Sequence, residues 1–375
     1  MRLIYLCCFL LFFIISNLIG QGNKTAIDYY NKGVEYYNAR NFELAAGSYT
    51  TCIEKDPTYT KAYYNRGNCA LSLQQYDKAI VDFDKTVSLD PQFSKAYLFK
   101  GYALLLKGDY NTSIAVLSDA INRDASLSKA YVHRGTAYMK TGIPEKAISD
   151  LTIAIAKGEH SYASFLNRAF CKNKINDKEG AMADFTAAAD LKPDQYVTSF
   201  EKAKIYLKLN KYNEAIAELS VALRKNPSDA DLYHYRGYAK LMLEDMASAL
   251  VDYNLCLQLN PSHLQGLKNK ALISFKIGKY DDAAIDYTNL IKIDSKNAEL
   301  YLHRGTCYLE SGQFDKALSD FSDAIGYKSD LAEAYFNRAN TYTKLLDIKK
   351  ACTDIKECIK LGYGPAKAHI STLCN

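Results

Sequence analysis

A 34-residue period runs from Ala26 to Pro365 of this 375-residue chain without one inserted or deleted residue, filling ten units end to end. Set in register, the units place Gly33, Gly67, Gly101, Gly135, Ala169, Ala203, Gly237, Ala271, Gly305 and Ala339 at one position. Twelve residues further on stand Ala45, Ala79, Ser113, Ala147, Ala181, Ala215, Ala249, Ala283, Ala317 and Ala351. A phase held this long belongs to a supersecondary unit stacked on copies of itself, not to one compact core. Large apolar residues recur at helical spacing around the small ones, as in Tyr63, Gly67 and Ala70, then Ala79, Phe83 and Val87. Each unit therefore reads as a helix, a turn and a second helix, each helix of about fourteen residues.

The breaks in the pattern are placed alike. Gly108, Gly142, Gly278 and Gly312 interrupt it between the two helices, where glycine ends a helix cheaply in the left-handed conformation. Pro57, Pro91, Pro193, Pro227 and Pro261 share one place after the second helix, since proline cannot continue a helix interior. The paired small residues predict close helix–helix contact, and overpacking such a site costs roughly 1–3 kcal/mol. A hairpin of two amphipathic helices cannot bury its faces alone, so successive hairpins must stack into one elongated domain.

Units such as Lys61-Ala-Tyr-Tyr-Asn-Arg-Gly-Asn through Ala79-Ile-Val-Asp-Phe to Leu89-Asp-Pro91 resemble tetratricopeptide repeats, with their order of aromatic, small, small, aromatic and proline. The resemblance implies an all-α, right-handed superhelical solenoid of antiparallel helix pairs that serves protein–protein interaction. Its units are 26–59, 60–93, 94–127, 128–161, 162–195, 196–229, 230–263, 264–297, 298–331 and 332–365. Departures are local: Ser199 and Leu267 replace the first aromatic, Ser113 the alanine, and Ala125, Glu159, Ser295, Ser329 and Tyr363 the closing proline.

The residue before each first small one is basic: Lys32, Arg66, Lys100, Arg134, Arg168, Lys202, Arg236, Lys270, Arg304 and Arg338. Sixteen places later stand Ser48, Asp82, Val116, Asp150, Asp184, Glu218, Asp252, Asp286, Asp320 and Asp354. Every arginine is matched by aspartate, and the two units without an acid carry lysine. Arginine offers a two-pronged fork that lysine lacks, so a ladder of pairs such as Arg236 with Asp252 is expected. Independent solvated charges would explain the composition but not the matching.

Residues 1–20 lie outside the period. Arg2 precedes the apolar run Leu3 to Ile15, and the segment reads as a secretory signal peptide cleaved before Gln21, with 21–25 as a short leader. An uncleaved anchor over residues 3–19 is the alternative, because Leu18 is an imperfect residue three before the cut. Export places the mature chain in the periplasm or outside the cell, or on the extracytoplasmic face of a membrane. After Pro365, residues 366–375 restart the unit and are expected to form a short helix capping the last hairpin.

Export makes disulfides worth weighing, yet Cys52, Cys256 and Cys358 share one small-residue place, and Cys69, Cys171 and Cys307 another. Cysteine there acts as a small buried hydrophobe. Cys352 and Cys374 remain unassigned, a disulfide between them being the lesser alternative.

Nothing converges into a catalytic constellation: there is no GxGxxG, Walker loop, HExxH, CxxC or zinc-spaced Cys/His set. No enzyme, cofactor or metal is expected. A net charge of +5 over this length, with lysines alternating with acids, is too weak for nucleic-acid binding. What remains is a surface. The first helices of such a stack line its concave face, and the places three before, one after and four after the small residue project there. That gives Tyr30, Tyr64, Asn68, Leu98, Tyr102, Phe170, Phe200, Lys204, His234 and Tyr238 as partner-binding candidates. Lys61, Lys95 and Lys129 edge one side, and Lys140, Lys174, Lys208, Lys276 and Lys344 the other. Such a groove suits an extended or helical protein segment with acidic flanks. The clamp with which related repeats hold acidic chaperone C-termini is absent: Asn68 and Asn340 follow Tyr64 and Phe336, and Leu272 follows Lys268. The competing expectation is a structural subunit that self-associates through the ends of its rod.

Overall fold

The computed structural model describes residues 24–374, so the proposed signal segment 1–20 lies outside the described residues. Twenty helices of the period follow one another in antiparallel pairs, and no strand occurs among the described residues. The chain divides into two compact units, the first ending at Lys192 and the second beginning at Pro193. The first holds the pairs α1–α2 (Ala26–Asn38, Phe42–Lys55), α3–α4 (Thr60–Ser72, Tyr76–Leu89), α5–α6 (Ser94–Lys107, Tyr110–Arg123), α7–α8 (Ser128–Lys140, Pro144–Ala156) and α9–α10 (Tyr162–Lys174, Lys178–Leu191). The second holds α11–α12 (Val197–Lys208, Tyr212–Lys225), α13–α14 (Ala230–Met242, Met246–Leu259), α15–α16 (Leu264–Lys276, Tyr280–Ile293), α17–α18 (Ala298–Glu310, Phe314–Tyr327) and α19–α20 (Ala332–Lys344, Ile348–Lys360). Within each unit a helix packs on its own partner and on the next pair, which makes an all-α solenoid.

The turn inside every pair takes the same conformation. Arg40, Gln74, Gly108, Gly142, Asn176, Asn210, Glu244, Gly278, Gly312 and Leu346 all have positive φ. Only four of these ten positions are glycine, so the turn is set by the stacked pair rather than by its own residue. Between pairs, Asp56, Asp90 and Asp124 are extended, as suits a residue before proline at the first two. Their carboxylates accept from the backbone N–H two residues on. Where Glu159 and Tyr363 replace the proline, Gly158 and Gly362 end the helix instead, each with positive φ.

The small residues are buried as a set, with Ala79, Ala147, Ala249 and Ala317 fully enclosed. Ser113, the one departure, donates its hydroxyl to the Gly101 carbonyl at 2.7 Å, so the two small places do touch. The glycines answer mainly to another neighbour, the large residue sixteen places on. A methyl built on Gly33 would lie 2.5 Å from the Tyr49 ring, and on Gly67 or Gly305 2.8 Å from Phe83 or Phe321. At Gly101 and Gly135 the obstacle is Leu117 or Leu151, at 2.5 and 3.0 Å, and at Gly237 it is Tyr253 at 3.2 Å.

All six arginines grip their aspartates with two hydrogen bonds apiece, as in Arg236 Nε and Nη2 to Asp252 at 2.9 and 2.6 Å. The matching pairs are Arg66–Asp82, Arg134–Asp150, Arg168–Asp184, Arg304–Asp320 and Arg338–Asp354. These aspartates are buried, so each pair sits inside the stack rather than on its surface. Each arginine also turns Nη1 to a hydroxyl on the preceding pair: Thr50, Ser118, Thr152, Ser220, Thr288 or Ser322. A ring three residues earlier lies against each guanidinium at 5.5–5.8 Å. The units whose first aromatic is Ser199 or Leu267 are units with lysine at the arginine place. A guanidinium therefore always has its ring, while Tyr29 and Tyr97 keep the ring ahead of Lys32 and Lys100.

Cys52, Cys69, Cys171, Cys256, Cys307 and Cys358 are buried free thiols. Cys352 and Cys374 are joined in a disulfide. The C-terminal cap is a 3-10 turn, Gly364–His369, followed by one turn of helix, α21 (Ile370–Leu373), in place of the single short helix expected. Ala366 is its fully buried residue, packed with Ala339, Ile355 and Cys358.

Candidate functional site

The first helices present the predicted residues in two different ways. In the first unit most are taken up by packing between neighbouring pairs. Tyr30 lies against the rings of Tyr49 and Tyr59, at 5.7 and 5.0 Å, and its hydroxyl accepts from Asn65. Tyr64, beside the Asn68 side chain, is ringed by Phe83, Phe93 and Phe99. Tyr102 stacks on His133 at 4.3 Å, and Phe170 meets the edge of Phe185 at 5.5 Å. Leu98 is a correction: only 5% of it is exposed, and it joins Leu117, Ile121 and Tyr131 in the core. An aliphatic side chain at that place reaches between pairs, where it finds more apolar contact than the open face offers.

In the second unit the same positions form an open trough. Lys204, Leu207, Lys208, His234, Tyr235, Tyr238, Gln265 and Asn269 line a cavity of about 480 Å³. Gln265 and Asn269 also line the next cavity, of about 470 Å³, with Lys268, Leu272, Phe275, Glu299, His303, Thr306 and Glu333. Leu272 is 41% exposed on this wall. Phe200 stands beside the trough, with the Lys204 ammonium 4.8 Å above its ring and Tyr235 at its edge. Lys204 is also paired with Glu201.

His234 is the chemically distinctive member. Its Nδ1 is buried without a hydrogen-bond partner, and the rings of Tyr235, Tyr253 and His263 surround it. Burial, with His263 adding to it, pushes its pKa down to about 4, so the ring is neutral at pH 7. The neighbouring His263 caps α15: its Nδ1 accepts from the Gly266 N–H at 2.9 Å, so its Nε2 carries the proton donated to Asp231.

Two columns of the trough escaped the three-place rule. The place two before the small residue supplies Tyr235, Asn269 and His303, and the place six before it Gln265, Glu299 and Glu333. The run of Asn65, Asn167, Asn269 and Asn337 was a usable signal for the first. Asn167 and Asn337 reach Thr136 and Thr306 on the preceding first helix, so this column ties adjacent pairs together along the face. The rim is not uniformly basic. Lys95 and Lys129 edge a smaller cavity of the first unit with Tyr64 and Leu98, but Glu299 and Glu333 hold the corresponding places in the second. Among the described residues, no group of three or more His, Cys, Asp or Glu is placed to hold a metal ion.

Models described as tetratricopeptide repeat match residues 60–93, 94–127, 268–340 and 332–361, and one described as TPR repeat matches 203–243. The chain belongs to the tetratricopeptide repeat family. No curated protein matches it in sequence. Among solved structures it is similar to the C-terminal part of a TPR repeat-containing protein from Cytophaga hutchinsonii, at 18% identity over 64% of this chain and 98% of that one, with a TM-score of 0.54. A tetratricopeptide repeat protein from Parabacteroides merdae is 19% identical over 67% and 100% of the two chains, with a TM-score of 0.45. YrrB, a TPR protein with an unusual peptide-binding site, is 18% identical over 50% and 97%, with a TM-score of 0.47. The likeness to the Cytophaga hutchinsonii structure establishes the fold. The family supports a role as a protein-interaction scaffold.

Proposed function

We propose that this chain is an exported, non-catalytic scaffold that holds an extended or helical protein segment in the trough of its second unit. The observation that carries this reading is the continuity of that trough from Lys204 to Thr306, with exposed Leu272 on its wall. Tyr238, Leu272 and Phe275 offer apolar purchase, while Gln265 and Asn269, which line both cavities, offer polar groups to a segment laid across them. Lys208 at one end and Glu299 and Glu333 at the other favour a segment with an acidic residue near the first and a basic one near the second. The apolar run from Leu3 to Ile15 and the Cys352–Cys374 disulfide both support export.

Assembly through the ends of the array is the weaker reading. Asp28 stands on α1 where the first helices α3, α5, α7 and α19 carry a buried alanine, which makes that end polar, as a terminal repeat requires. The test is crosslinking and pull-down from the native envelope fraction, comparing the wild type with Tyr238→Ala/Leu272→Ala. Loss of a specific partner in the variant is the expected result. Equal recovery by both proteins would refute the trough as the binding site, and recovery of the chain in the cytoplasmic fraction would refute export.

A further inference from the structure

We propose that the Cys352–Cys374 disulfide is a redox-operated latch: closed, it seals the end of the last helix pair beneath the C-terminal segment, and its reduction lets that segment lift away. The two cysteines differ from the other six of the described chain. Those six occupy small-residue places of the repeat as buried free thiols, whereas Cys352 and Cys374 are only half-buried and fall where no other unit has cysteine. Cys352 stands where other units carry an apolar residue, most often a larger one such as Ile80, Leu250 or Leu318, and at half-burial a soluble thiol can reach the pair.

What the latch holds down is slight. Elsewhere within each unit, the end of a pair is covered by the next first helix, twelve to fourteen residues long. Here the cover is the six-residue turn Gly364–His369 and the four-residue α21. Ala366 is its one fully buried residue, seated on Ala339, Ile355 and Cys358, with Tyr363 and Leu373 packed beside it. Helical segments this short do not persist without a tether. The bond, spanning a sequence separation of 22, removes most of the open conformations available to the segment.

The reductant is a dithiol. One of its thiolates attacks a sulfur of the bridge to form a mixed disulfide, and its second thiol resolves it. Cys352 and Cys374 leave as thiols, having gained two electrons and two protons, and the reductant leaves as its own disulfide. The open state uncovers Ala339, Ile355 and Cys358.

Cys358 is a built-in reporter. It is fully enclosed beneath the cap, and burial pushes its thiol up to about 11, so the closed state keeps it unreactive. Cys307, equally enclosed within the second unit, serves as the internal control. The experiment is pulsed N-ethylmaleimide labelling of the full chain with mass-spectrometric mapping of each cysteine. It compares the oxidised wild type, the wild type after dithiothreitol, and Cys352→Ser/Cys374→Ser without reductant. The latch predicts that Cys358 labels on the order of a hundredfold faster in the last two, with Cys307 unchanged and protection restored when the wild type is reoxidised. Protection of Cys358 that does not change on opening the bridge would overturn the proposal. So would acceleration of Cys307 in step with Cys358, because the bridge would then hold up the whole unit rather than its cap.

Discussion

Arg304 holds Asp320 through two hydrogen bonds, Nε to Oδ2 at 2.8 Å and Nη2 to Oδ1 at 2.7 Å, and turns Nη1 to Thr288 on the preceding pair at 3.1 Å. Asp320 is 3% exposed, so removing the arginine leaves a buried carboxylate without its counter-charge. Arg304→Ala should therefore cost about 3–5 kcal/mol. Arg236→Ala should cost less, about 2–3 kcal/mol, because Lys240 remains 2.7 Å from Asp252. Urea unfolding of the two variants checks the order; equal losses would show that the second cation carries no weight.

Asp286 is the flaw in the ladder. Lys270 reaches only its Oδ1, at 3.1 Å, and Oδ2 is buried with no partner. Burial raises its pKa, with Lys270 opposing. A carboxyl whose folded pKa is raised costs stability at neutral pH, and the cost is relieved as pH falls through the folded pKa. Lys270→Arg supplies the missing second donor and should stabilise the protein by about 1 kcal/mol at pH 7, with the gain shrinking in acid. Thermal unfolding at pH 7 and pH 4 would show this as a rise in Tm at the higher pH; no rise would mean that the pocket around Asp286 cannot seat the fork.

The fold was legible because ten copies of one unit let each column be compared with itself. Arg66 with Asp82, or the shared place of Cys69 and Cys307, needed no coordinates. Contacts that cross from one pair to the next were harder. Thr50, Ser118, Thr152, Ser220, Thr288 and Ser322 stand sixteen places before the six arginines, a matching as complete as that of the aspartates, yet a hydroxyl on a helix is common enough that only the stack, which brings Nη1 to it, gives the column its meaning. Leu98 is drawn out of the groove for the same reason, and Tyr64 is largely taken up by its neighbouring rings. The period gives a residue's angle around its helix, but the tilt between pairs decides whether that angle opens to solvent or closes against the next pair. His234 occupies the equivalent place and lines the trough, a distinction absent from the repeat itself.

Leu346 occupies the left-handed turn of the last pair with φ 62° and is 82% exposed. It makes little packing that could offset a conformation that branched and bulky residues resist. Gly108, Gly142, Gly278 and Gly312 take the same turn without that resistance. Leu346→Gly should stabilise the protein by roughly 0.5–1 kcal/mol despite the added freedom of the unfolded chain. A lower urea midpoint for the variant would mean that the Leu346 side chain contributes more than its exposure implies.

His133 stacks on Tyr102 in the first unit, and burial, reinforced by Lys129, pushes its pKa down to about 4. In the unfolded chain it titrates near 6.5. As pH falls below 6.5, the unfolded state takes up a proton that the folded state refuses, so stability is lost until the pH passes about 4. The loss should reach roughly 2–3 kcal/mol for this residue. Asparagine stands at the equivalent place in Asn65, Asn167, Asn269 and Asn337 and bonds to the preceding pair each time. His133→Asn should therefore fold, match the wild type at pH 7 within about 1 kcal/mol, and lose less stability between pH 7 and pH 4.5. Urea midpoints at the two pH values give the difference directly. If the variant keeps the full acid sensitivity of the wild type, His133 is not the group that refuses the proton.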